Sequence, residues 1–160
     1  MSSIRGFASV SEMDSMMEAM WNSAVSEDDL VYVLGDFAVR RPAYWNERLK
    51  GRKILILGNH DGFMAKEAGF ISVQETLMVN VRLQRDTQAC FLSHYPFLSW
   101  PERGNGSVHL HAHCHGRQPA SLPGMPGPAR LDMSAELWRF QPVPLEQAIN
   151  KAKEKEEKHG

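Results

Sequence analysis

The sequence contains few cysteines, no long hydrophobic run and almost no net charge. Its two cysteines, Cys90 and Cys114, are too few for a disulfide framework. No apolar run approaches the ~20 residues that a bilayer-spanning helix needs, and the first residues lack the apolar stretch of a signal peptide. The net charge of −1 provides no broad attraction for nucleic acids or anionic membranes. These absences predict a cytoplasmic protein with reduced thiols, no membrane partner and no strong nucleic-acid surface.

The composition and periodicity predict one globular α/β domain. Hydrophobic residues make up 42 % of the chain and charged residues 23 %, which is typical of a protein with a core. A helix is predicted over residues 11–25, with Ser11 as its N-cap and a methionine-rich face that packs on the core. Apolar runs predict strands at residues 30–34, 53–57, 77–83, 89–93 and 108–111, and a short helix is predicted at residues 42–50. This alternation of helices and short strands predicts a layered architecture.

Two stretches near the C-terminus are set apart by their composition. Residues 116–128 are rich in proline and glycine, which predicts a loop. Residues 145–159 are dominated by lysine and glutamate and are compatible with a helix. A charge run of this kind predicts a solvated helix or a frayed tail rather than a binding patch.

Residues that can do chemistry follow three of the predicted strands. Asp36 follows the strand at 30–34, Asn59-His60-Asp61 follow the strand at 53–57, and His94 follows the strand at 89–93. Loops at strand ends converge in α/β folds, so these side chains are candidates for one site. Each loop also has a structural explanation, because Asp and Asn are common turn residues and a lone histidine is often hydrogen-bonded within a fold. Turn chemistry does not account for His60.

A run of alternating histidines, His109, His111, His113 and His115, is the most informative stretch. In an extended strand all four side chains would lie on one face, where imidazoles make poor core material. Imidazole is the commonest metal ligand among side chains, although a fortuitous histidine-rich strip is an equally good explanation of the run alone. Because the four are spread along a strand, at most two or three could share one ion.

The candidate ligands are carboxylate, amide and imidazole groups, with no cysteine required. Such donors suit Mn, Fe or Zn in an open, reactive site better than a closed structural zinc site. Two such ions close together can clamp a phosphoryl group and generate hydroxide at neutral pH, which phosphoester hydrolysis demands.

Taken in order, these segments resemble the calcineurin-like metallophosphoesterase superfamily, in its small bacterial and phage branch. The sequential blocks of that family are D-x-H, G-D, G-N-H followed by Asp or Glu, a lone H, and G-H-x-H. Four of the five have counterparts here, namely Gly35-Asp36, Gly58-Asn59-His60-Asp61, His94 and His113-Cys114-His115. The resemblance covers most of the chain up to about Leu145. It implies a four-layer α-β-β-α sandwich of two mixed sheets and an N-terminally truncated metallophosphoesterase domain over residues 1–145. Residues 146–160 would then be a charged helical or frayed tail.

The resemblance also implies a role for each matched residue. Asp36 would bridge two divalent ions, Asn59, His94 and His113 would complete one metal centre, and His115 would ligate the other. Asn59 and His60 would contact a phosphate-ester substrate, with His60 as the general acid and Asp61 orienting its ring. The implied activity is hydrolysis of a phosphomono- or diester by metal-bound hydroxide, with one or two Mn, Fe or Zn ions per chain.

Two departures from the family pattern set further expectations. The glycine of G-H-x-H is Ala112 here, and the D-x-H block has no counterpart. A start site placed too far downstream, a genuine truncation, or substitution by ligands such as His109 and His111 would each explain the gap. Without a first central strand, we expect exposed edges on the strands at 30–34 and 53–57, reduced stability, and one firmly bound ion with a weaker second.

Three alternatives to an active phosphoesterase remain open from the sequence. A truncated pseudoenzyme would share every motif but lack useful turnover. A metal-storage protein built on the histidine run would bind metal without Asp36 or Asn59. The metallo-β-lactamase block H-x-H-x-D-H fits poorly, because its aspartate position falls on His115 and its last histidine on Gly116. The loops at 62–72 and 116–128, where specificity would lie, contain no readable substrate code.

Overall fold

A computed structural model describes residues 6–84, 86–117 and 129–157, with side chains described as far as residue 154. These residues form four α-helices and seven strands. In chain order, the elements are α1 (Val10–Ala24), β1 (Leu30–Val33), α2 (Pro42–Arg48), β2 (Arg52–Ile56), α3 (Phe63–Lys66), β3 (Ser72–Gln74), β4 (Thr76–Arg82), β5 (Thr87–Ser93), β6 (Val108–His111), β7 (Arg130–Asp132) and α4 (Leu145–Glu157).

The strands form two sheets. The first sheet has the order β1-β2-β3 and is parallel throughout. The second has the order β4-β5-β6-β7, with an antiparallel β4–β5 hairpin followed by parallel pairing of β5 with β6 and β6 with β7. The predicted α/β fold with two sheets is confirmed. The sequence prediction located five of these strands to within about two residues at each end and missed the three-residue strands β3 and β7.

One hydrophobic core joins the two sheets to the C-terminal helix. Ile56 of the first sheet belongs to the same buried cluster as Leu92 and Leu110 of the second. Helix α4 contributes Ala148, Ile149 and Ala152 to this cluster, and all three are almost completely buried. The predicted charged helix is therefore formed, but its apolar face is packed into the core rather than solvated. Within the described residues, no helix is long and apolar enough to cross a membrane.

Two local predictions need correction. The N-cap of α1 is Ser9, not Ser11, because the Ser9 hydroxyl accepts a hydrogen bond from the Glu12 backbone N–H and Glu12 reaches back to the Ala8 N–H. Ser9 and Glu12 have the three-residue spacing of a capping box, in which the glutamate side chain is long enough to reach back to the start of the helix. The expected open edge on the strand at 53–57 is also wrong. That strand is β2, and it is paired on both sides, with β1 and with the unpredicted β3.

Most of the predicted loop at 116–128 lies outside the described residues, as do residues 1–5, Arg85 and residues 158–160. The hydrogen bond from the Leu83 N–H to the Asp86 carbonyl closes the β4–β5 hairpin.

Candidate metal centre

Two glycines allow the loops that follow β1 and β2 to touch. Gly35 has a φ of +86°, and a Cβ atom there would lie 2.7 Å from the Gly58 backbone and closer still to the His94 ring. A Cβ atom on Gly58 would in turn overlap the backbone and carboxylate of Asp36. Because only glycine lacks that atom, the Gly-Asp and Gly-Asn-His-Asp segments can pack backbone against backbone at the ends of adjacent parallel strands.

Asp61 holds these two loops together. Its carboxylate accepts hydrogen bonds from the backbone N–H groups of Asp36 at 2.7 Å, Gly58 at 2.9 Å and Phe37 at 3.0 Å. Asp36 itself has a φ of +54°, a left-handed conformation that costs a non-glycine residue on the order of 1–2 kcal/mol. The three hydrogen bonds from the loops to Asp61 stabilise that conformation and fix the direction of the Asp36 side chain.

His94 is the hub of the candidate centre. Its ring is 2 % exposed, and its Nδ1 lies 2.7 Å from the Leu34 carbonyl oxygen at the end of β1. Its other nitrogen, Nε2, faces three possible ligand atoms: Asn59 Oδ1 at 3.0 Å, His113 Nδ1 at 3.2 Å and Asp36 Oδ2 at 3.5 Å. The structure thus brings together four of the five metal ligands implied by the resemblance.

Leu34 and Asn59 each offer His94 an acceptor oxygen, at 2.7 Å from Nδ1 and 3.0 Å from Nε2. We assign the proton of a neutral His94 to Nδ1 because the contact with the Leu34 carbonyl is the shorter one, and Nε2 then presents a lone pair. That lone pair points at an oxygen, a nitrogen and a carboxylate. One proton on His113 can satisfy one of these contacts, whereas a cation at their common point would satisfy all of them. A histidine that donates one N–H to a backbone carbonyl while its other nitrogen faces a metal is a common arrangement in metal sites.

The separations around His94 suit a divalent cation. Ligand atoms about 2.1 Å from one ion lie about 3.0 Å apart in octahedral and about 3.4 Å apart in tetrahedral coordination. The three contacts of His94 Nε2 span 3.0 to 3.5 Å. In the described part of the chain, no three His, Cys, Asp or Glu side chains by themselves form a group that could hold a metal. The convergent set relies on the amide of Asn59 and is centred on His94.

The histidine run does not lie along one strand. The predicted strand at 108–111 is confirmed, and it ends before the last two histidines of the run. Strand β6 ends at His111, and His113 and His115 have φ values of +65° and +50°. The Cys114 N–H donates to the Ala112 carbonyl at 2.7 Å, which closes a γ-turn around His113. The Ala112 N–H donates to the His94 carbonyl, so this turn is tied to the end of β5. Ala112 itself has no positive φ, and replacement of the family glycine therefore adds no left-handed strain at that position.

His115 is held outside the hub. Its Nδ1 lies 3.2 Å from both carboxylate oxygens of Glu136, and its backbone N–H donates to the Ser134 hydroxyl. Neither Glu136 nor Ser134 was singled out from the sequence, and nothing in their local pattern could have indicated the contact. The structure shows no contact between His115 and Asp36, the two residues implied to share the other ion.

His109 and His111 are buried structural residues rather than replacement ligands. His109 accepts a hydrogen bond from the Phe97 N–H at Nε2, and its Nδ1 lies 3.2 Å from the Phe91 carbonyl, so both ring nitrogens are occupied. Burial lowers the pKa of His109 to about 3, with smaller contributions in the same direction from His111 and Arg130. Nδ1 of His111 is 3.0 Å from the Ala112 carbonyl, and its ring packs beside that of His109.

The cysteines stay protonated and take no part in the hub. Burial raises the pKa of Cys90 to about 12. Burial and the nearby Asp132 carboxylate also raise the pKa of Cys114, although it lies between the two histidines of the turn. Neither thiol is placed where a thiolate ligand would form near neutral pH.

His60 and Asp61 are not paired as the resemblance implies. Asp36 Oδ1 accepts a hydrogen bond from the His60 backbone N–H at 2.8 Å, which fixes the residue beside Asn59. Among the described residues, the exposed His60 ring makes no hydrogen bond, while the Asp61 oxygens are occupied by the two loops. The expected orientation of the His60 ring by Asp61 is therefore not seen.

Sequence reasoning missed two other groups at the hub. The Leu34 carbonyl, which sets the protonation of His94, is a backbone group that no residue pattern reveals. The ring of Tyr95 packs against both hub histidines, with centroids 5.0 Å from His94 and 4.7 Å from His113. Its place directly after His94 is the only sequence signal for that contact.

Comparisons with known proteins place the chain among relatives without an assigned activity. No model of a known protein family matches the sequence. The chain is 30 % identical to the gene 66 protein of Mycobacterium phage L5, over 66 % of this chain and 66 % of that protein's length. It is 28 % identical to the gene 66 protein of Mycobacterium phage D29, over 78 % of this chain and 76 % of that protein. It is also 27 % identical to the uncharacterized protein MJ1445 of Methanocaldococcus jannaschii, over 89 % of this chain and 76 % of that protein.

A solved structure shares the fold. The protein of unknown function AQ665 from Aquifex aeolicus superposes with a TM-score of 0.62, covering 94 % of this chain and 90 % of that one at 19 % identity. The chain is thus homologous to the phage gene 66 proteins and to MJ1445, and it has the α/β fold of AQ665.

Proposed function

We propose that this chain is a metal-dependent phosphoesterase that holds one divalent ion at the His94 hub. The observation that carries the proposal is the convergence of Asn59, His113 and Asp36 on Nε2 of His94. The four ligands would be Asp36, Asn59, His94 and His113. Their oxygen and imidazole donors suit Mn, Fe or Zn. Such an ion, when bound, supplies Lewis-acid stabilisation of the negative charge that develops on a phosphoryl group.

The residues of the chain supply positioning and proton transfer. Leu34 fixes the tautomer of His94, and Asp61 fixes the backbone of Asp36, so the ligand atoms are preorganised. His60 is adjacent to Asn59, and its exposed ring has no other partner among the described residues. An imidazole there can hold a proton for the leaving oxygen of a phosphate ester. The assignment of His60 as general acid is part of the proposal.

A second candidate is a metal-binding protein of the same fold with little or no turnover. The observation that favours it is the engagement of His115 by Glu136 and Ser134, which leaves this histidine away from Asp36. Phosphoesterases that clamp the phosphoryl group with two ions need ligands for both. A chain that assembles one centre would bind metal and still lack the second half of that clamp.

The test compares hydrolysis by metal-stripped protein with hydrolysis after Mn²⁺ is restored, using p-nitrophenyl phosphate and bis(p-nitrophenyl) phosphate. His113→Ala and His115→Ala form a matched pair, since both residues are exposed and both have positive φ. We expect metal-dependent turnover in the wild type, loss of that turnover in His113→Ala, and retention within about threefold in His115→Ala.

Two outcomes would redirect the proposal. Folded wild type that binds Mn²⁺ but hydrolyses neither ester would favour the metal-binding candidate. Turnover that persists in the stripped protein, or that survives His113→Ala, would contradict the hub as the reactive site.

A further inference from the structure

Tyr95 lies beside the hub with much of its ring exposed. The ring meets those of His94 and His113 at interplanar angles of 81° and 61°, yet 45 % of the residue remains accessible to solvent. The tyrosine hydroxyl makes no hydrogen bond to the described residues. A large, partly exposed aromatic side chain in contact with two candidate ligands is well placed to touch whatever occupies the site.

The segment that carries Tyr95 is anchored from several sides. The Ser93 hydroxyl donates to the Tyr95 carbonyl at 2.6 Å. Two residues later, the Phe97 N–H donates to His109, and the Phe97 carbonyl accepts from the buried Arg130. These bonds fix the backbone on both sides of the ring, so the ring surface is presented by a rigid support rather than by a free loop.

Two partly exposed apolar side chains follow Tyr95 closely along the chain. Phe97 and Leu98 are 39 % and 56 % exposed, and the Phe97 ring is braced edge-on against Phe91. An ion bound at the hub would interact with a phosphoryl group, whereas the apolar side chains of Phe97 and Leu98 would not. They suit the organic group of an ester, and the flat Tyr95 ring suits an aromatic group in particular.

We propose that Tyr95 is a specificity-determining residue that contacts the organic group of a phosphate ester and favours esters of aromatic groups over alkyl esters. This inference rests on the proposed function, because it takes the hub as the phosphoryl site. Aryl groups and nucleobases share the required flat aromatic chemistry.

The test separates substrate contact from support of His113, which Tyr95 also touches. Binding of phenylphosphonate and methylphosphonate to the Mn²⁺-loaded protein is measured by titration calorimetry, since neither probe can be hydrolysed as an ester. The variants are Tyr95→Ala, Tyr95→Phe and, as a matched control, Tyr44→Ala. Tyr44 is 39 % exposed on α2, where it packs against Trp45 rather than against the hub.

We expect phenylphosphonate to bind about 5- to 50-fold more tightly than methylphosphonate in the wild type, Tyr95→Phe and Tyr44→Ala proteins. In Tyr95→Ala the ratio should fall to near one, with the affinity for methylphosphonate and for Mn²⁺ unchanged. An unchanged ratio, an equal loss for both probes, or no binding of either probe by the wild type would overturn the assignment. If the wild type binds phenylphosphonate selectively but hydrolyses no ester, the contact made by Tyr95 is supported and the phosphoesterase proposal is contradicted.

Discussion

The first two and the last two histidines of the run at 109–115 have opposite environments. His109 and His111 lie on β6, buried, with their ring nitrogens engaged by the fold. His113 and His115 follow the strand on a turn with positive φ, and both are exposed. Residues of one type, spaced two apart, thus serve as core material on the strand and as exposed side chains beyond its end.

The difference shows where the alternation of residues along a sequence no longer predicts which way their side chains face. Alternation places every second side chain on one face only while the backbone is extended. Here the extended backbone ends at His111, and the γ-turn around His113 redirects the chain toward His94. Left-handed residues of this kind cost on the order of 1–3 kcal/mol each and tend to cluster at functional sites. Asp36, His113 and His115 are three of the seven non-glycine residues with positive φ among those described.

Removing one imidazole from each pair should give the largest contrast in stability. His109→Ala leaves a cavity among Phe91, Phe97 and Trp100 and strips the Phe97 N–H of its acceptor. We expect it to lower the free energy of unfolding by about 3–5 kcal/mol, and His113→Ala to change it by less than about 1 kcal/mol. Urea unfolding of metal-free protein, followed by tryptophan fluorescence, measures both. Similar losses of unfolding free energy in the two variants would contradict the difference between a buried His109 and an exposed His113.

Acid should destabilise the fold through His109, which is buried on β6. The folded-state pKa of His109 is lowered to about 3, below the 6.5 of an ordinary histidine, so the unfolded chain binds more protons between these values. The contribution of neutral His109 is therefore complete above pH 6.5 and decreases as the pH falls toward 3. Between pH 7 and pH 5 it should amount to about 2 kcal/mol. His109→Gln removes the titrating group, and its unfolding free energy should fall less over this range. The same pH dependence in the variant and the wild type would contradict a buried neutral His109.

Asp61, which holds together the loops that follow β1 and β2, should affect metal affinity. Asp61→Asn loses acceptor capacity for the N–H groups of Asp36, Phe37 and Gly58, so the ligand Asp36 is less well fixed. We expect Mn²⁺ affinity to fall about 10- to 100-fold. Asp132→Asn is the matched control, because Asp132 accepts bonds from the Gly116 and Ser134 N–H groups outside the hub. Both variants should lose some stability, but only Asp61→Asn should lose metal affinity. Equal Mn²⁺ affinities of Asp61→Asn and Asp132→Asn, measured by calorimetry, would contradict a role of Asp61 in fixing the metal ligands.

Glycine should relieve the backbone strain at His113 and His115, the two histidines of the turn. His113→Gly and His113→Ala both remove the imidazole, but only glycine adopts a φ of +65° without a steric cost. We expect the glycine variant to be more stable than the alanine variant by about 1 kcal/mol. The same difference is expected at His115, whose φ is +50°. Thermal unfolding of the four variants without metal measures the difference. If alanine and glycine prove equivalent at both positions, the turn is not strained.

Sequence reasoning predicted the parts of the molecule that depend on long patterns. Apolar runs identified β1, β2 and β5, and the residues that follow these strands identified Asp36, Asn59 and His94 as neighbours. The short strands β3 and β7 were missed because three residues show no period. The burial of the α4 face was missed because Ala148 and Ala152 are weakly hydrophobic among many charged residues.

The site was less predictable where backbone groups decide it. Nothing in the residue pattern showed that the Leu34 carbonyl would fix the tautomer of His94, or that the Asp61 carboxylate would bind three backbone N–H groups. The turn after His111 was also hidden, because His113 and His115 adopt positive φ at positions where no glycine or asparagine marks a left-handed residue.

The central claim is that a divalent ion binds at His94 with one histidine of the turn and neither histidine of the strand. Crystals of the Mn²⁺ complex, with an anomalous difference map recorded at a wavelength sensitive to manganese, test it directly. The account predicts one strong peak about 2.0–2.3 Å from ligand atoms of Asp36, Asn59, His94 and His113. A peak at His115 and Glu136 alone, or a crystal grown with excess Mn²⁺ that shows no peak at His94, would contradict it.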